Sequence, residues 1–287
     1  MVRDVASLTY SQPSVIQKYV EDPLCLEGYK FDLRLYVLVT SFKPLEAFIY
    51  TDGFARVSTD KYSLSKGDMD NRFIHLTNSS IQKMHEKGPG KDSPLMDSTE
   101  SGGSKIPLKG PQGLWARLER LGMDTAGLWR DISILVVKSL VIVDDKMTHQ
   151  ICAFEVFGYD ILIDSKLRCW LIEVNASPSM ARENALDVRV KNAMVRDTIA
   201  LVAPPPFDRA ALARILKRRF HDISKNTILV GRSDGDLERD LRDILGDNIP
   251  RRYGETPAIL GDYEKLCPDT KIHTHVLKLK SRIIKSD

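Results

Sequence analysis

Glu173 and Asn175 stand two residues apart in Trp170-Leu171-Ile172-Glu173-Val174-Asn175, an otherwise apolar run. The segments CAFEVFGYDILI and RCWLIEVN, joined by Asp164-Ser165-Lys166-Leu167, read as a β-hairpin. Side chains alternate faces along a strand, so Glu173 and Asn175 share a face with Cys169 and Leu171, while Trp170, Ile172 and Val174 form an apolar face for the core. A hairpin closed around Ser165-Lys166 sets Asp160 opposite Leu171, on the same face as Glu173 and diagonal to it. Two carboxylates at that range repel unless a cation lies between them. Asp160, Glu173 and Asn175 together offer hard oxygen ligands of the kind that suit Mg²⁺, a metal that takes its other ligands from water and nucleotide phosphates. The alternative is an ordinary hairpin with a polar solvent face.

A second set lies in KFDLRLYVLV, where Lys30, Asp32 and Arg34 fall on one face and Phe31, Leu33, Leu35 and Val37 on the other. A lysine and an arginine flanking an aspartate can hold phosphates, one as a point charge and one as a fork. A half-buried strand with a solvated charge ladder has the same pattern. A third set is HLTNSS, residues 75–80, whose short polar groups suit contact with a ligand or the capping of a helix over SSIQKMHEK. Capping accounts for Asn78 or Ser79 but not for His75, which is a candidate catalytic group, although a lone histidine is more often structural. The minimal parts of Walker, dinucleotide-binding, serine-hydrolase and H-E-x-x-H zinc sites are all absent from the sequence. His273-Thr274-His275, in a charged tail, reads as incidental. Lys217-Arg218-Arg219 reads as a solvated helix face or a surface for an acidic partner.

These groups need elements to hold them. Three strand-like segments follow Val15, separated by Asp22-Pro23, Lys43-Pro44 and Asp52-Gly53. Residues 87–113, rich in Gly, Ser, Pro and charge, read as a long surface loop. Trp129, Ile132, Val136, Leu140 and Val143 recur at helical spacing and predict a helix that packs on a sheet. A further helix, ALDVRVKNAMVRDTIALV, is stopped by Pro204-Pro205-Pro206. From about residue 207 the pattern changes to an extension that is partly helical and partly loose. The chain has 287 residues, is 43% hydrophobic and 28% charged, and carries a net charge of +3. That composition supports a sizeable core and gives no argument for nucleic acid. The four cysteines are scattered, which favours reduced thiols over a disulfide framework. No apolar run reaches the roughly 18 residues of a membrane span, so the expectation is a chain that acts in the cytoplasm.

In this order, QKYV, KFDLRLYVLV, HLTNSSIQK, FGYDILID and WLIEVNASPS resemble the tubulin–tyrosine ligase-like family, and most closely its glutamylating branch. The resemblance covers roughly residues 14–205. It implies an α+β, ATP-grasp fold, a mainly antiparallel sheet packed by helices, with a nucleotide held between lobes. Residues 1–205 are then the C-terminal lobe, and 206–287 a basic, partly helical extension. The family carries an N-terminal and a central lobe ahead of the hinge strand; only a short stretch precedes Gln17, so those lobes are expected to be missing here.

Carried over by motif, Gln17, Lys18, Tyr19 and Val20 are similar to the hinge strand that reads adenine. Lys30, Asp32, Thr77 and Asn78 match further ATP contacts. Arg34 matches the arginine near the transferred phosphate and the acceptor. Asp160, Glu173 and Asn175 match the magnesium ligands, and Arg56, Ser79, Ser80, Lys105 and Lys191 the contacts to free L-glutamate. The resemblance implies an acylphosphate on a carboxylate of tubulin's acidic C-terminal tail, attacked by the glutamate amine. ATP and Mg²⁺ are the implied cofactors. Tubulin and microtubules are the implied partners, with no nucleic acid or membrane. The cytoskeleton and the cilium or flagellum are the implied locations. A non-catalytic microtubule-binding module is the alternative, and a glycine or tyrosine ligase a further one.

Overall fold

The computed structural model describes residues 15–82, 84–85, 105–148, 153–224, 234–246 and 251–284. Its first elements are β1 (Cys25–Leu26), β2 (Tyr29–Phe42), β3 (Leu45–Tyr50), β4 (Phe54–Val57), α1 (Arg72–His75), α2 (Ser79–Gln82) and β5 (Lys105–Pro107). Next come α3 (Leu114–Arg120), α4 (Thr125–Val143), β6 (Glu155–Ile163), β7 (Cys169–Asn175) and α5 (Ala185–Val202). The chain closes with α6 (Arg209–Ser224), α7 (Asp234–Leu245), β8 (Tyr263–Cys267) and α8 (Lys271–Ile284). Every strand pair among the described residues is antiparallel, and the path β5-β4-β2-β3-β8 is flanked by β6 and β7 on the other edge of β2. The fold is thus α+β, an open, mostly antiparallel sheet packed by helices, consistent with the ATP-grasp reading.

β2 organises the molecule because its two faces carry different chemistry. Phe31, Leu33, Leu35, Val37 and Val39 are all buried and share one core with Ile132, Val136, Val137 and Leu140 of α4. Removing one of these side chains is worth about 2–5 kcal/mol, since a packed core refills a cavity poorly. On the opposite face Lys30, Asp32 and Arg34 give way to Tyr36 and Leu38, which pack with Leu186, Val190 and Met194 of α5. The same strand therefore supplies the polar floor of a site in its first half and a seat for α5 in its second.

The helices start and stop where their caps say. Asp124 accepts from Gly127 N at 2.8 Å ahead of α4, and Asn184 from Asp187 N at 2.7 Å ahead of α5. α5 ends at Ala203, whose φ of 44° is left-handed, one residue before Pro204. Of the stripe expected on α4, Ile132, Val136 and Leu140 are buried, whereas Val143 ends the helix 36% exposed.

Two expectations are corrected. Within the loop read over 87–113, residues 105–107 form β5 on the edge of β4, and residues 87–104 lie outside the described set. Part of the extension is built into the sheet: β8 pairs with β3, and Arg251 clamps the fully buried Glu46 of β3 with bonds of 2.8 and 2.6 Å. YEKLC is too short and too charged to announce that strand, although adding it covers a sheet edge. The basic run is the solvated helix face expected, with Lys217 and Arg218 exposed, and Arg218 and Arg219 also bind Asp240 of α7. No described helix is long and apolar enough to cross a membrane.

Candidate active site

The register of β2 sets the charges. Asp32 lies opposite Arg56 of β4, and Arg34 lies opposite Asp160 of β6. Arg56 binds Asp32 through two parallel bonds of 2.7 and 2.6 Å, and its Nη2 also reaches Asp160 at 2.7 Å. Arg34 donates to Asp160 through Nε at 2.5 Å and Nη2 at 3.1 Å. The four residues form one chain of alternating charge across three strands, with Thr77 donating to Asp32 at 2.6 Å. Burial opposes the charge on Asp160, but Arg34 and Arg56 outweigh it and hold the carboxyl below its usual range. Burial likewise disfavours the Arg56 cation, and Asp32 and Asp160 more than restore it, so its affinity for its proton is raised.

Lys30 sits beside this array, its ammonium donating to the His75 carbonyl at 2.7 Å and to the Tyr19 hydroxyl at 3.2 Å. Burial pushes Lys30 down to about 8, with Asp32 opposing the shift. His75 is itself buried. Its Nε2 faces the Asp68 carbonyl at 3.0 Å and so carries the proton, which leaves Nδ1 to accept from Tyr19 at 2.9 Å. The imidazole thus holds Tyr19 and the segment before it, with both ring nitrogens engaged. Gln17–Val20 runs as extended chain without ladder pairing, and the Gln17 amide contacts the Ile172 carbonyl at 3.4 Å. Gln17, Lys18, Tyr19, Val20, Lys30, Asp32, His75, Thr77, Asn78, Asp160 and Glu173 all line one cleft.

The hairpin departs from its expected register. Asp160 faces Glu173 directly, not Leu171, because a β-bulge at Ile172 puts two residues of β7 against one of β6. The faces switch across the bulge: Cys169 and Leu171 pack toward the α4 core, Trp170 shares the other face with Glu173, and Trp170, Ile172 and Val174 are all 37–43% exposed. Ile172 and Glu173 both line the cleft as a result. Asn175 donates through Nδ2 to Glu173 Oε1 at 3.1 Å. Among the described residues no group of three His, Cys, Asp or Glu is placed to hold a metal; the candidate set is two carboxylates and one amide.

A second cleft adjoins the first and is lined by Arg34, Arg56, Ser79, Ser80, Lys105 and Lys191, among others. All five residues expected at the glutamate pocket, drawn from four separate parts of the chain, therefore meet around it. Lys105 and Lys191 both pair with Asp187, at 3.0 and 3.2 Å, above the Phe54 ring. Two supports escaped the sequence reading. Fully buried Gln82 ties α1 and α2 to Thr59 after β4, accepting from Thr59 N at 2.8 Å and donating to the Phe73 and Leu76 carbonyls. Fully buried Asp187 joins the two lysines, and its only signal was the Asn184-x-x-Asp187 spacing of a helix start. Gly158, opposite Asn175, has room for no Cβ: one there would lie 2.8 Å from Pro178 Cβ.

A family model described as the tubulin-tyrosine ligase family matches residues 1–211. The human protein named tubulin polyglutamylase TTLL7 is 34% identical over 276 residues, covering 89% of this chain and 30% of that protein. Mouse tubulin monoglutamylase TTLL4 is 34% identical over 204 residues, or 68% of this chain and 16% of its own length. A Tetrahymena thermophila protein named probable alpha-tubulin polyglutamylase Ttll1 is 38% identical over 192 residues, 66% of this chain and 43% of that one. The chain spans less than half the length of each. The buried charge array, the hairpin acids and the paired clefts thus sit within a matched region of 211 residues, and the chain belongs to the tubulin-tyrosine ligase family.

Proposed function

We propose that this chain supplies the ATP- and glutamate-binding part of a ligase that adds glutamate to glutamate side chains in the acidic C-terminal tail of tubulin. The observation that carries the reading is the contact between two clefts. One is lined by Lys30, Asp32, Thr77, Asp160 and Glu173, the other by Lys105 and Lys191, and Arg56 borders both. In this reading the first takes ATP, with Lys30 on a phosphate and Gln17–Val20 beside the adenine. The second takes free glutamate. Arg34, bordering the second cleft, sits where an acceptor carboxylate and a transferred phosphoryl group would meet. Residues 1–205 form the ligase lobe, and 206–287 form an extension anchored to it through β8. The cytoskeleton and cilium are the places such an activity would serve.

The donor set also fits magnesium. Asp160 and Glu173 lie directly opposite each other on β6 and β7, and Asn175 bonds to Glu173. All the ligand atoms on offer are hard oxygens. Asp160, Glu173 and the Asn175 carbonyl oxygen would hold the ion, which when bound neutralises charge on the phosphates. The chain's own residues do the remaining work. Arg34 and Lys30 stabilise negative charge on the group in transfer, in a site where burial makes each such contact stronger than in water. Arg56 holds Asp32 and Asp160 in place. His75 positions Tyr19 and, through its carbonyl, Lys30. The products are an amide on the tail, ADP and phosphate.

Calorimetry with Mg-ATP separates this reading from a non-catalytic microtubule-binding module. Saturable, magnesium-dependent binding that Lys30→Met abolishes supports the ligase. Tubulin binding without any nucleotide binding contradicts it. Competition among labelled glutamate, glycine and tyrosine for a tubulin-tail peptide then tests the amino acid, with glutamate expected to win.

A further inference from the structure

Asp187 is an acid inside what the sequence suggests is a cationic pocket. It lies in the first turn of α5, fully buried. A carboxylate in that position could serve the helix alone, since anions favour helix N-termini. Its contacts say more. Both of its oxygens accept from Lys105 Nζ on β5, at 3.0 and 3.2 Å, and Oδ1 also takes Lys191 Nζ at 3.2 Å, from one turn further along the helix. Oδ2 accepts from Asn184 Nδ2 at 2.8 Å, which fixes the plane of the carboxylate. Below the two ammonium groups lies the face of Phe54, 5.2 and 5.9 Å from them. The lysines therefore rest on an aromatic floor and are tied at one point.

Donor counting gives the next step. Each ammonium has three N–H groups. Lys191 uses one on Asp187 and one on the Ala181 carbonyl at 2.5 Å, so one remains. Lys105 uses at most two on the carboxylate, so at least one remains. Both lysines line the same cleft. A single carboxylate can accept both remaining N–H groups.

We propose that Asp187 is the positioning residue of the amino-acid pocket: it ties Lys105 to Lys191 over Phe54 so that their remaining N–H groups meet one carboxylate. The inference rests on the glutamate-ligase reading. It makes the pocket selective for an amino acid bearing a side-chain carboxylate over neutral residues.

The test uses the full-length protein and steady-state kinetics with a tubulin-tail peptide, Mg-ATP and L-glutamate. Asp187→Asn keeps the shape and the Asn184 contact but removes the charge. It should raise KM for glutamate by about 10-fold or more, as expected from the loss of charge-assisted bonds. KM for ATP and kcat should stay within about 2-fold, because neither the nucleotide cleft nor Arg34 is touched. Asn184→Ser keeps a good helix cap and removes only the amide donor to Asp187, so it should move KM for glutamate in the same direction by a smaller factor. This variant carries the test if Asp187→Asn fails to fold. Nitrogen NMR of the Lys191 ammonium adds a readout that a purely structural role would leave unmoved: Asp187→Asn should lower its titration midpoint. An unchanged KM for glutamate in both variants overturns the inference. So does a parallel rise in KM for ATP and fall in kcat, the mark of a general packing defect. A wild-type enzyme that incorporates glycine or tyrosine in place of glutamate refutes the functional reading itself, and that result is seen before any variant is made.

Discussion

Arg56→Met removes the guanidinium that joins the two buried acids of the candidate site. The side chains are 8% exposed for Arg56, 10% for Asp32 and 2% for Asp160, so solvent screens these pairs little. Breaking a buried ion pair from one side costs about 3–5 kcal/mol, because the partner charge stays behind. Asp32 keeps Thr77 and Asp160 keeps Arg34, which places the expected loss near the lower limit, about 3 kcal/mol at pH 7. Its pH dependence has a definite sign. Asp160 is held below its usual range in the folded protein, so its contribution is present above an unfolded value of about 3.9 and is lost as pH falls through the folded one. Without Arg56 the burial remains and one counter-ion is gone, so the folded carboxyl shifts upward. The variant is then penalised at neutral pH and relieved by protonation. Urea unfolding of both proteins at pH 7 and at about 4.5 measures this, and the difference between them should shrink on acidification. A loss below about 1 kcal/mol at pH 7, or a difference that widens as pH falls, refutes the strut role given to Arg56.

Arg251→Met leaves Glu46 fully buried with only Thr40 and the Gly254 amide as donors, and should cost about 3 kcal/mol; pairing it with Glu46→Gln should recover a large part of that in a double-mutant cycle. Lys30 is pushed down to about 8 by burial, so it loses its charge as pH rises through that value, and Mg-ATP affinity measured by calorimetry should fall between pH 7 and 9. Gly158→Ala brings a Cβ within 2.8 Å of Pro178 and 3.5 Å of Arg34 Cδ, and should cost about 1–3 kcal/mol in thermal or urea unfolding as the turn after β7 shifts.

The polar face of β2 was open to sequence reading because period-two alternation over KFDLRLYVLV fixes which side chains share a side. The α4 stripe was legible for the same reason at helical period. What could not be read was register. The bulge at Ile172 inserts one residue into β7, so Leu171 faces the α4 core while Glu173 comes directly opposite Asp160, and Trp170, Ile172 and Val174 are left exposed. Nothing in WLIEVN marks a bulge. Distance along the chain hid the rest. Lys105, Arg56 and Lys191 come together only through the β4–β5 pairing and the seat of α5, and no local pattern marks Asp187 as the counter-ion of the two lysines. β8 was missed because its burial depends on an exposed edge of β3, which no local pattern in YEKLC discloses.

The central claim is that Asp160 and Glu173 form one acidic pair serving ATP-dependent glutamate transfer. Glu173→Gln changes a single atom of that pair and leaves its size and its contact with Asn175 possible. The most direct measurement is glutamate incorporation into a tubulin-tail peptide by the full-length protein, wild type against Glu173→Gln, across a magnesium titration. The account predicts magnesium-dependent incorporation by the wild type and a loss of about 100-fold or more in the variant, the scale on which removing one charged contact at a phosphoryl-transfer site acts. Equal incorporation by the two proteins would contradict it.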